Sequence, residues 1–275
     1  MKNICYDLAK EYEELDNIVK NLSSKEWQLV TPFYGWTIKD ELSHIAYFDE
    51  AGVLSATDKE AFQKHFDTMV EGINTIEALH KRVNFVGNNK SDEELLEWWR
   101  KERTALVAAY EKSDPKTRLP WYGPTMSARA SASARILEVW AHGQDIFDTL
   151  GIIRKGTDRL KHIAHIGFIT FKWTFINRGL EPPVEKVRLE LKSPKGELWT
   201  WGDSDAENLI TGDALDFCLI TTQRRHVHDT GLTLNGNIAE KWMAIAQSFA
   251  GPPDDGPTPG ARSIEETDKE PCFTN

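Results

Sequence analysis

Apolar positions follow a helical period through most of the first 180 residues and change to a strand period only afterwards. Leu8, Tyr12, Leu15, Ile18 and Val19 predict a helix over 3–21, closed by the polar turn Ser23–Trp27. An aromatic loop, Thr31-Pro32-Phe33-Tyr34-Gly35-Trp36, leads to Thr37, a predicted N-cap with Asp40 three residues on. The second helix, Ile38–Ala56, carries Leu42, Ile45, Ala46, Phe48 and Leu54, with His44 among them. Residues 58–82 read as a further helix of mixed polarity, and Asn84–Asn89 as a loop. The capping box Ser91-Asp92-Glu93-Glu94 opens an amphipathic helix over Leu95–Glu111. Asp114–Met126 is a long connection bearing prolines and a glycine, and loops of that length are often functional. Within it Trp121 and Tyr122 are candidates to line a pocket. The helix predicted over Ala128–Leu150 is apolar on much of its circumference, which is the mark of a buried helix, and Gly151 stops it. Asp158–Asn177 reads as one more helix.

After Pro182-Pro183 the grammar changes. Lys186–Leu191 alternates at period two and reads as a strand, Ser193–Gly196 as a turn, and Glu197–Trp201 as the partner strand. Asn208–Thr211 predicts a short third strand; Gly212–Thr222 and Ile238–Phe249 predict helices. The expected organisation is α+β: a helical region over 1–182, a small α+β domain over 183–250, and a Pro-, Gly- and charge-rich segment over 251–275. That segment should be a mobile tail or a strap laid over the surface.

Composition narrows the function. The chain of 275 residues has a net charge of −10, with 43 acidic against 33 basic residues. This argues against nucleic acid and anionic membranes as partners, since both require a basic surface. No stretch approaches the roughly 20 apolar residues of a membrane span, and the N-terminus has no apolar signal core. Cys5, Cys218 and Cys272 are widely spaced and odd in number, so no disulfide framework is expected and the expected compartment is cytoplasmic. A small molecule remains as the expected partner, and a homodimer stays open.

The candidate chemistry lies in the buried helix. Glu138 and His142 are four residues apart, on one helical face and one turn from each other. A buried carboxylate and imidazole need a partner; a metal ion is one, another polar side chain is the alternative. His44, alone on an apolar face, reads first as a satisfied core histidine. His162 and His165 are three apart but have no carboxylate beside them, and a structural role is expected.

Two stretches change this when taken together. Gly35-Trp36-Thr37-Ile38-Lys39-Asp40-Glu41-Leu42-Ser43-His44-Ile45-Ala46 and Glu138-Val139-Trp140-Ala141-His142-Gly143-Gln144-Asp145 resemble the DinB-like metal-binding four-helix bundles. Within these, they resemble the mycothiol-dependent maleylpyruvate isomerase group. The resemblance implies a divalent ion, most commonly zinc, held by His44, Glu138 and His142. It also implies a sterol-carrier-like α+β domain at the C-terminus. There Thr222-Gln223-Arg224 matches the group's Thr-Gly-Arg step, which gives Arg224 a catalytic, anion-holding role with Arg225 as its substitute. The Leu119–Pro124 loop, with Met126-Ser127 after it, looks like a metal-binding subfamily of the group.

Two imidazoles and one carboxylate suit zinc, and also nickel, iron or manganese. Three protein ligands leave a position open, the pattern of a catalytic ion. Asp145 and Glu41 each lie one turn from a histidine and are candidates to receive its second N–H. Two mechanisms fit: addition of a low-molecular-weight thiol to a conjugated substrate followed by elimination, which the resemblance implies, or metal-assisted hydrolysis. A non-catalytic metal- and ligand-binding protein is the third reading.

Overall fold

The computed structural model of the chain describes residues 1–262. By its contacts the chain divides into two compact units, Met1–Thr149 and Leu150–Asn275. The first unit contains α1 (Lys2–Val19), α2 (Ile38–Thr57), α3 (Lys59–Val70), α4 (Ile76–Asn88) and α5 (Asp92–Lys112). A short antiparallel pair, β1 (Arg118–Leu119) and β2 (Met126–Ser127), then leads into α6 (Ala128–Thr149).

Helices α1, α2, α5 and α6 form a four-helix bundle, and α4 packs along the outer side of α2. The periodic apolar positions become the core: Leu8, Leu15, Leu42, Ile45, Trp99, Leu106, Ile136 and Val139 are fully buried. Each such side chain contributes roughly 1.5–3 kcal/mol by leaving water. Both predicted capping boxes form. Asp40 N–H donates to Thr37 Oγ1 at 3.2 Å and Thr37 N–H to Asp40 Oδ2 at 2.9 Å. Ser91 and Glu94 make the same reciprocal pair.

Arg135, Asp49 and Tyr12 place two charges and a hydroxyl within this core. Arg135 of α6 donates from Nε to Asp49 Oδ1 of α2 at 3.1 Å, and its Nη2 lies 2.9 Å from the same oxygen. Tyr12 of α1 donates to that oxygen at 2.5 Å, and Arg135 Nη2 also donates to the Ile45 carbonyl at 3.3 Å. Asp49 is wholly buried and Arg135 nearly so. This pair pins α2 to α6 beside residues 44 and 138.

The helix expected over 58–82 is two helices, and the loop expected over 84–89 is helical to Asn88. The break lies at Gly72, whose φ of 68° is left-handed, and Thr75 caps the new start by accepting from Ala78 N–H at 3.2 Å. Arg82 closes the end of α3 by donating to the Thr68, Met69 and Glu71 carbonyls. Residues 84–88 stay helical because they pack on α2. Ser43 Oγ donates to the Asn84 carbonyl and accepts from Gly87 N–H, each at 3.1 Å. A Cβ on Gly87 would lie 2.2 Å from Ser43 Oγ, so only glycine permits this approach.

The second unit begins with α7 (Leu160–Ile169) and α8 (Phe171–Asn177), where one helix was expected. A sheet of order β4-β3-β5-β6 follows, from β3 (Val187–Lys192), β4 (Leu198–Trp201), β5 (Asn208–Asp213) and β6 (Thr233–Asn235). The first two strands pair antiparallel as expected, with Leu189 opposite Trp201. The third pairs parallel to β3, with Leu189 opposite Ile210. Val187, Leu189 and Leu191 are buried, as their alternation predicts. Residues Gly212 and Asp213 belong to β5, so α9 covers only Ala214–Thr221; α10 covers Asn237–Ile245 and ends before the expected Phe249. The unit starts ahead of the Pro182-Pro183 pair because α7 packs on α9, with Gly167 against Phe217 and Thr221. Residues 251–262 lie as a strap on this unit: Asn177 Nδ2 donates to the Gly251 carbonyl at 3.1 Å, and Gly260 N–H to Asp229 at 2.9 Å. The remainder of the C-terminal segment, with Cys272, lies outside the described residues. Among the described residues no helix is long and apolar enough to cross a membrane.

Candidate metal centre

Helix periodicity assembles the site from two helices. On α6 the polar residues Arg135, Glu138, His142 and Asp145 repeat at three- and four-residue intervals and share one face. On α2, Glu41, His44 and Phe48 share the face turned toward them. His142 Nε2 lies 3.5 Å from Glu138 Oε2, and His44 Nε2 lies 3.7 Å from the same oxygen. The two imidazole centroids are 4.4 Å apart. The other nitrogen of His142, Nδ1, is 2.7 Å from Glu41 Oε2, and Thr31 donates to Glu41 Oε1 at 2.6 Å. Glu41 therefore serves the histidine of the facing helix and not its own neighbour His44.

These separations bear on the partner question. At 3.5–3.7 Å the carboxylate and the two Nε2 atoms are too far apart for good hydrogen bonds. A tetrahedral ion about 2.0–2.2 Å from each donor would hold them roughly 3.4 Å apart, so the donor set fits a zinc-like ion. One feature of a typical metal-bound histidine is missing. His44 Nδ1 is buried without a hydrogen-bond partner among the described residues, and ring contacts hold the imidazole instead. Trp36 lies 5.2 Å and Phe48 4.7 Å from His44 between centroids. Trp36 is parallel to His142 within 6° at 5.9 Å, and Phe33 meets His142 edge-on at 5.2 Å. The Glu138 side chain is 28% exposed, which opens one side of the donor set.

Glu41, His142 and Asp145 also lie close enough to share an ion. That set is less suitable: both Glu41 oxygens already accept hydrogen bonds, and all three residues are buried.

Charge follows the geometry. Burial opposes the charged form of His142, but Glu138 and Glu41 outweigh it and hold its pKa up at about 9. Burial, then repulsion from His142, pushes His44 down to about 3. Burial acts upward on Glu138, yet both histidines hold its pKa well below the usual carboxylate range. Burial and the neighbouring Asp145 push Glu41 up to about 7. Without an ion, a single proton on His142 between two carboxylates is the natural occupant, and an entering cation takes its place.

Trp121 and Tyr122 stand behind this site. Tyr122 lies 5.3 Å and Trp121 6.1 Å from Phe48, the ring that touches His44. The Tyr122 hydroxyl and His65 Nε2 are buried there without a hydrogen-bond partner among the described residues. Arg224 and Arg225 follow α9 in the second unit and are buried. Arg224 Nη1 donates to the Thr222 carbonyl at 2.7 Å, and Arg225 Nη1 to the Arg224 carbonyl at 2.7 Å. His165 Nδ1 accepts from Trp201 Nε1 at 3.3 Å, a structural role. Cys218 is buried, and burial pushes its thiol well up, which makes it a poor nucleophile.

The sequence pattern gave no sign of His80. It lies on α4 with its ring 5.1 Å from Trp36 and 5.4 Å from Tyr34. A single histidine in a helix of mixed polarity carries no spacing signal.

The sequence profile of the mycothiol maleylpyruvate isomerase N-terminal domain matches residues 8–147. Uncharacterized proteins from two strains of Mycobacterium tuberculosis are 38% identical to the chain over 256 residues, covering 91% of it and 96% of each relative. Two crystal structures of the mycothiol-dependent maleylpyruvate isomerase, one of a histidine-to-alanine mutant, superpose with TM-scores of 0.54 and 0.56 at 17% identity. They cover 85% of this chain and 92% of theirs, and at that identity they show a shared fold. His44, Glu138 and His142 all fall within the matched segment, and the chain belongs to the mycothiol maleylpyruvate isomerase N-terminal domain family.

Proposed function

We propose that the chain is a metal-dependent enzyme acting on a small carbonyl- or carboxylate-bearing molecule, a thiol-assisted isomerase or transferase. His44, Glu138 and His142 would hold the ion, with zinc favoured by two imidazoles and a carboxylate. The observation that carries this reading is the convergence of His44 Nε2, Glu138 Oε2 and His142 Nε2, with His142 oriented by Glu41. Family membership supports the thiol, since the solved relatives are described as mycothiol-dependent.

When bound, the ion would supply Lewis acidity, lowering the pKa of a thiol and polarising a carbonyl. The chain supplies the rest. Glu41 accepts the Nδ1 proton of His142 and so leaves Nε2 with a free lone pair facing Glu138. Phe33, Trp36 and Phe48 keep water from the histidine faces. In the isomerisation the thiol sulfur adds to one carbon of a conjugated double bond and its proton goes to the enolate so formed. The new single bond rotates, and loss of the proton and the thiol restores the double bond in the other geometry. Arg224 keeps, as part of this proposal and from the match of Thr222-Gln223-Arg224 alone, an anion-holding role in the second unit.

Metal analysis tests the site. One divalent ion per chain is expected in the purified protein, and most of it should be lost from the His44→Ala and His142→Ala variants. Full occupancy in His142→Ala would overturn the ligand set. Turnover of conjugated oxo-acids with and without low-molecular-weight thiols, beside a Cys218→Ser variant, tests the reaction; activity that depends on Cys218 and not on added thiol would overturn it.

A further inference from the structure

The second unit leaves one helix face bare. The inner side of α8 is spent on its neighbours: Phe171 meets Trp242 of α10 at 4.8 Å, Phe175 is buried, and Thr174 Oγ1 donates to the Gln247 carbonyl at 3.3 Å. These contacts fix the rotation of α8, and with it the side turned outward. There Ile169, Trp173, Ile176 and Leu180 recur at three- and four-residue intervals, and all four are exposed, Ile176 to 53%. Gly179, at φ 68°, ends the helix, and Leu180 N–H returns to the Phe175 carbonyl at 3.0 Å, which keeps Leu180 beside the last turn. Val184, 91% exposed, extends the row. The strap of residues 251–262 does not cover it, because these exposures hold with the strap in place. A single exposed apolar residue needs no explanation, whereas a row of five that includes a tryptophan marks a surface that another molecule covers.

Charge indicates what that molecule is. Lys172 stands at the start of the row, on the helix face between Ile169 and Ile176, and Glu181 and Glu185 stand past Leu180. All three are exposed, and among the described residues none makes an ion pair or hydrogen bond. Arg178, the one other charge between these ends, is spent on Asp255. The row thus has a basic end and an acidic end, a pattern complementary to itself. We propose that this face is an isologous interface between two copies of the chain, with α8 of one copy antiparallel to α8 of the other about a two-fold axis beside Ile176. That placement sets Trp173 of one copy opposite Leu180 of the other, and Lys172 opposite Glu181. A parallel arrangement would set Lys172 on Lys172 and Glu181 on Glu181, which like charge disfavours. An anionic bilayer suits the face less well, since two of its three flanking charges are acidic and the chain carries a net −10. Trp173 is the anchor of the interface, as large aromatic side chains at the centre of a patch commonly are. The interface stands whether or not the first unit holds an ion.

Sedimentation velocity of the full chain over a range of concentrations tests it. The wild type should sediment as a dimer at micromolar concentration. Trp173→Glu should raise the dissociation constant at least about thirtyfold with an unchanged circular dichroism spectrum, because the position is exposed. Lys172→Glu and Glu181→Lys should each raise it at least about fivefold at low salt, since each change acts at both symmetric contacts. The double reversal Lys172→Glu/Glu181→Lys should restore wild-type association. A wild type that stays monomeric up to about 0.1 mM overturns the proposal. So does a dimer whose affinity ignores Trp173, which would associate through another surface, and sensitivity to Trp173 without rescue by the double reversal overturns the antiparallel pairing. Binding of a monomeric chain to phosphatidylserine vesicles that is lost in Trp173→Glu would give the face to a bilayer and overturn the second copy as its occupant.

Discussion

Replacing Asp49 by Asn should be among the most destabilising single changes in the bundle. The substitution keeps the shape of the side chain and removes its charge. Arg135, 3% exposed, would then be a buried cation without its counter-ion. The asparagine Oδ1 could still accept from Arg135 but would carry no charge, and the arginine's other hydrogen bond, to the Ile45 carbonyl at 3.3 Å, is long. Breaking a buried pair by removing one partner costs about 3–5 kcal/mol, a large fraction of the 5–15 kcal/mol that typically holds a domain together. Removing both charges has a different cost, because the desolvation of each ion disappears along with their attraction. The double variant Asp49→Asn/Arg135→Met should therefore recover most of the loss, with Met filling the volume of the arginine stem. Urea unfolding of the wild type, both single variants and the double gives the four corners of the cycle. The same samples, analysed for zinc, report the site: the pair ties α2 to α6 next to His44 and Glu138, so Asp49→Asn should also bind the ion more weakly. An Asp49→Asn protein within about 1 kcal/mol of wild type would refute the buried-charge argument. A double variant as unstable as the worse single would show that shape, not charge, sets the cost.

Three further outcomes are expected. Gly87→Ala should destabilise the chain by about 1–3 kcal/mol and weaken metal binding, because the new Cβ would meet Ser43 Oγ at 2.2 Å and Ser43 Cβ at 2.5 Å, beside His44; Ser43→Gly should rescue it and Ser43→Ala should not, by chemical denaturation. Glu41→Gln should keep the fold and lower zinc affinity about 10–100-fold in a chelator competition, because the group that fixes the His142 tautomer loses its charge; unchanged affinity would count against the role of Glu41. Arg100 and Arg103 outweigh burial and hold Asp16 below the usual carboxylate pKa, so its contribution, on the order of 1 kcal/mol at this partly exposed site, is present above about pH 4 and lost as pH falls through the lower folded value. Acid titration of Asp16→Asn beside wild type should show a smaller loss of stability below pH 4, and parallel curves would exclude this linkage.

The strong periodic segments were legible because local signals and burial agree in them. The helices at 38–57, 92–112 and 128–149 each combine a start signal or an unbroken apolar face with a place in the bundle. The segment 84–88 was not legible. Its Asn-Phe-Val-Gly-Asn run has the composition of a loop, and what keeps it helical is the fit of Gly87 against Ser43, a tertiary contact. The same holds for the unit boundary. Pro182-Pro183 marks a change of secondary structure, whereas α7 and α8 pack with the sheet unit through contacts such as Gly167 on Phe217, which no local pattern announces.

The site divides along the same line. Glu138 and His142 could be paired from one helix, because four residues fix their relation whatever else the chain does. Their relation to α2 depends on how two helices are rotated and slid against each other, and a rotation of one residue, about 100°, would present a different face. Both Glu41 and Asp145 were therefore equal candidates to orient a histidine. Glu41 takes the role for the facing helix because Arg135–Asp49 sets the register of α2 on α6, and Thr31 holds the carboxylate's other oxygen. His80 lies one step further away, its ring set against Trp36 and Tyr34 and not against a donor residue. Residues that act within one element can be found by spacing alone, and those that act across elements become visible only when the packing that joins the elements is known.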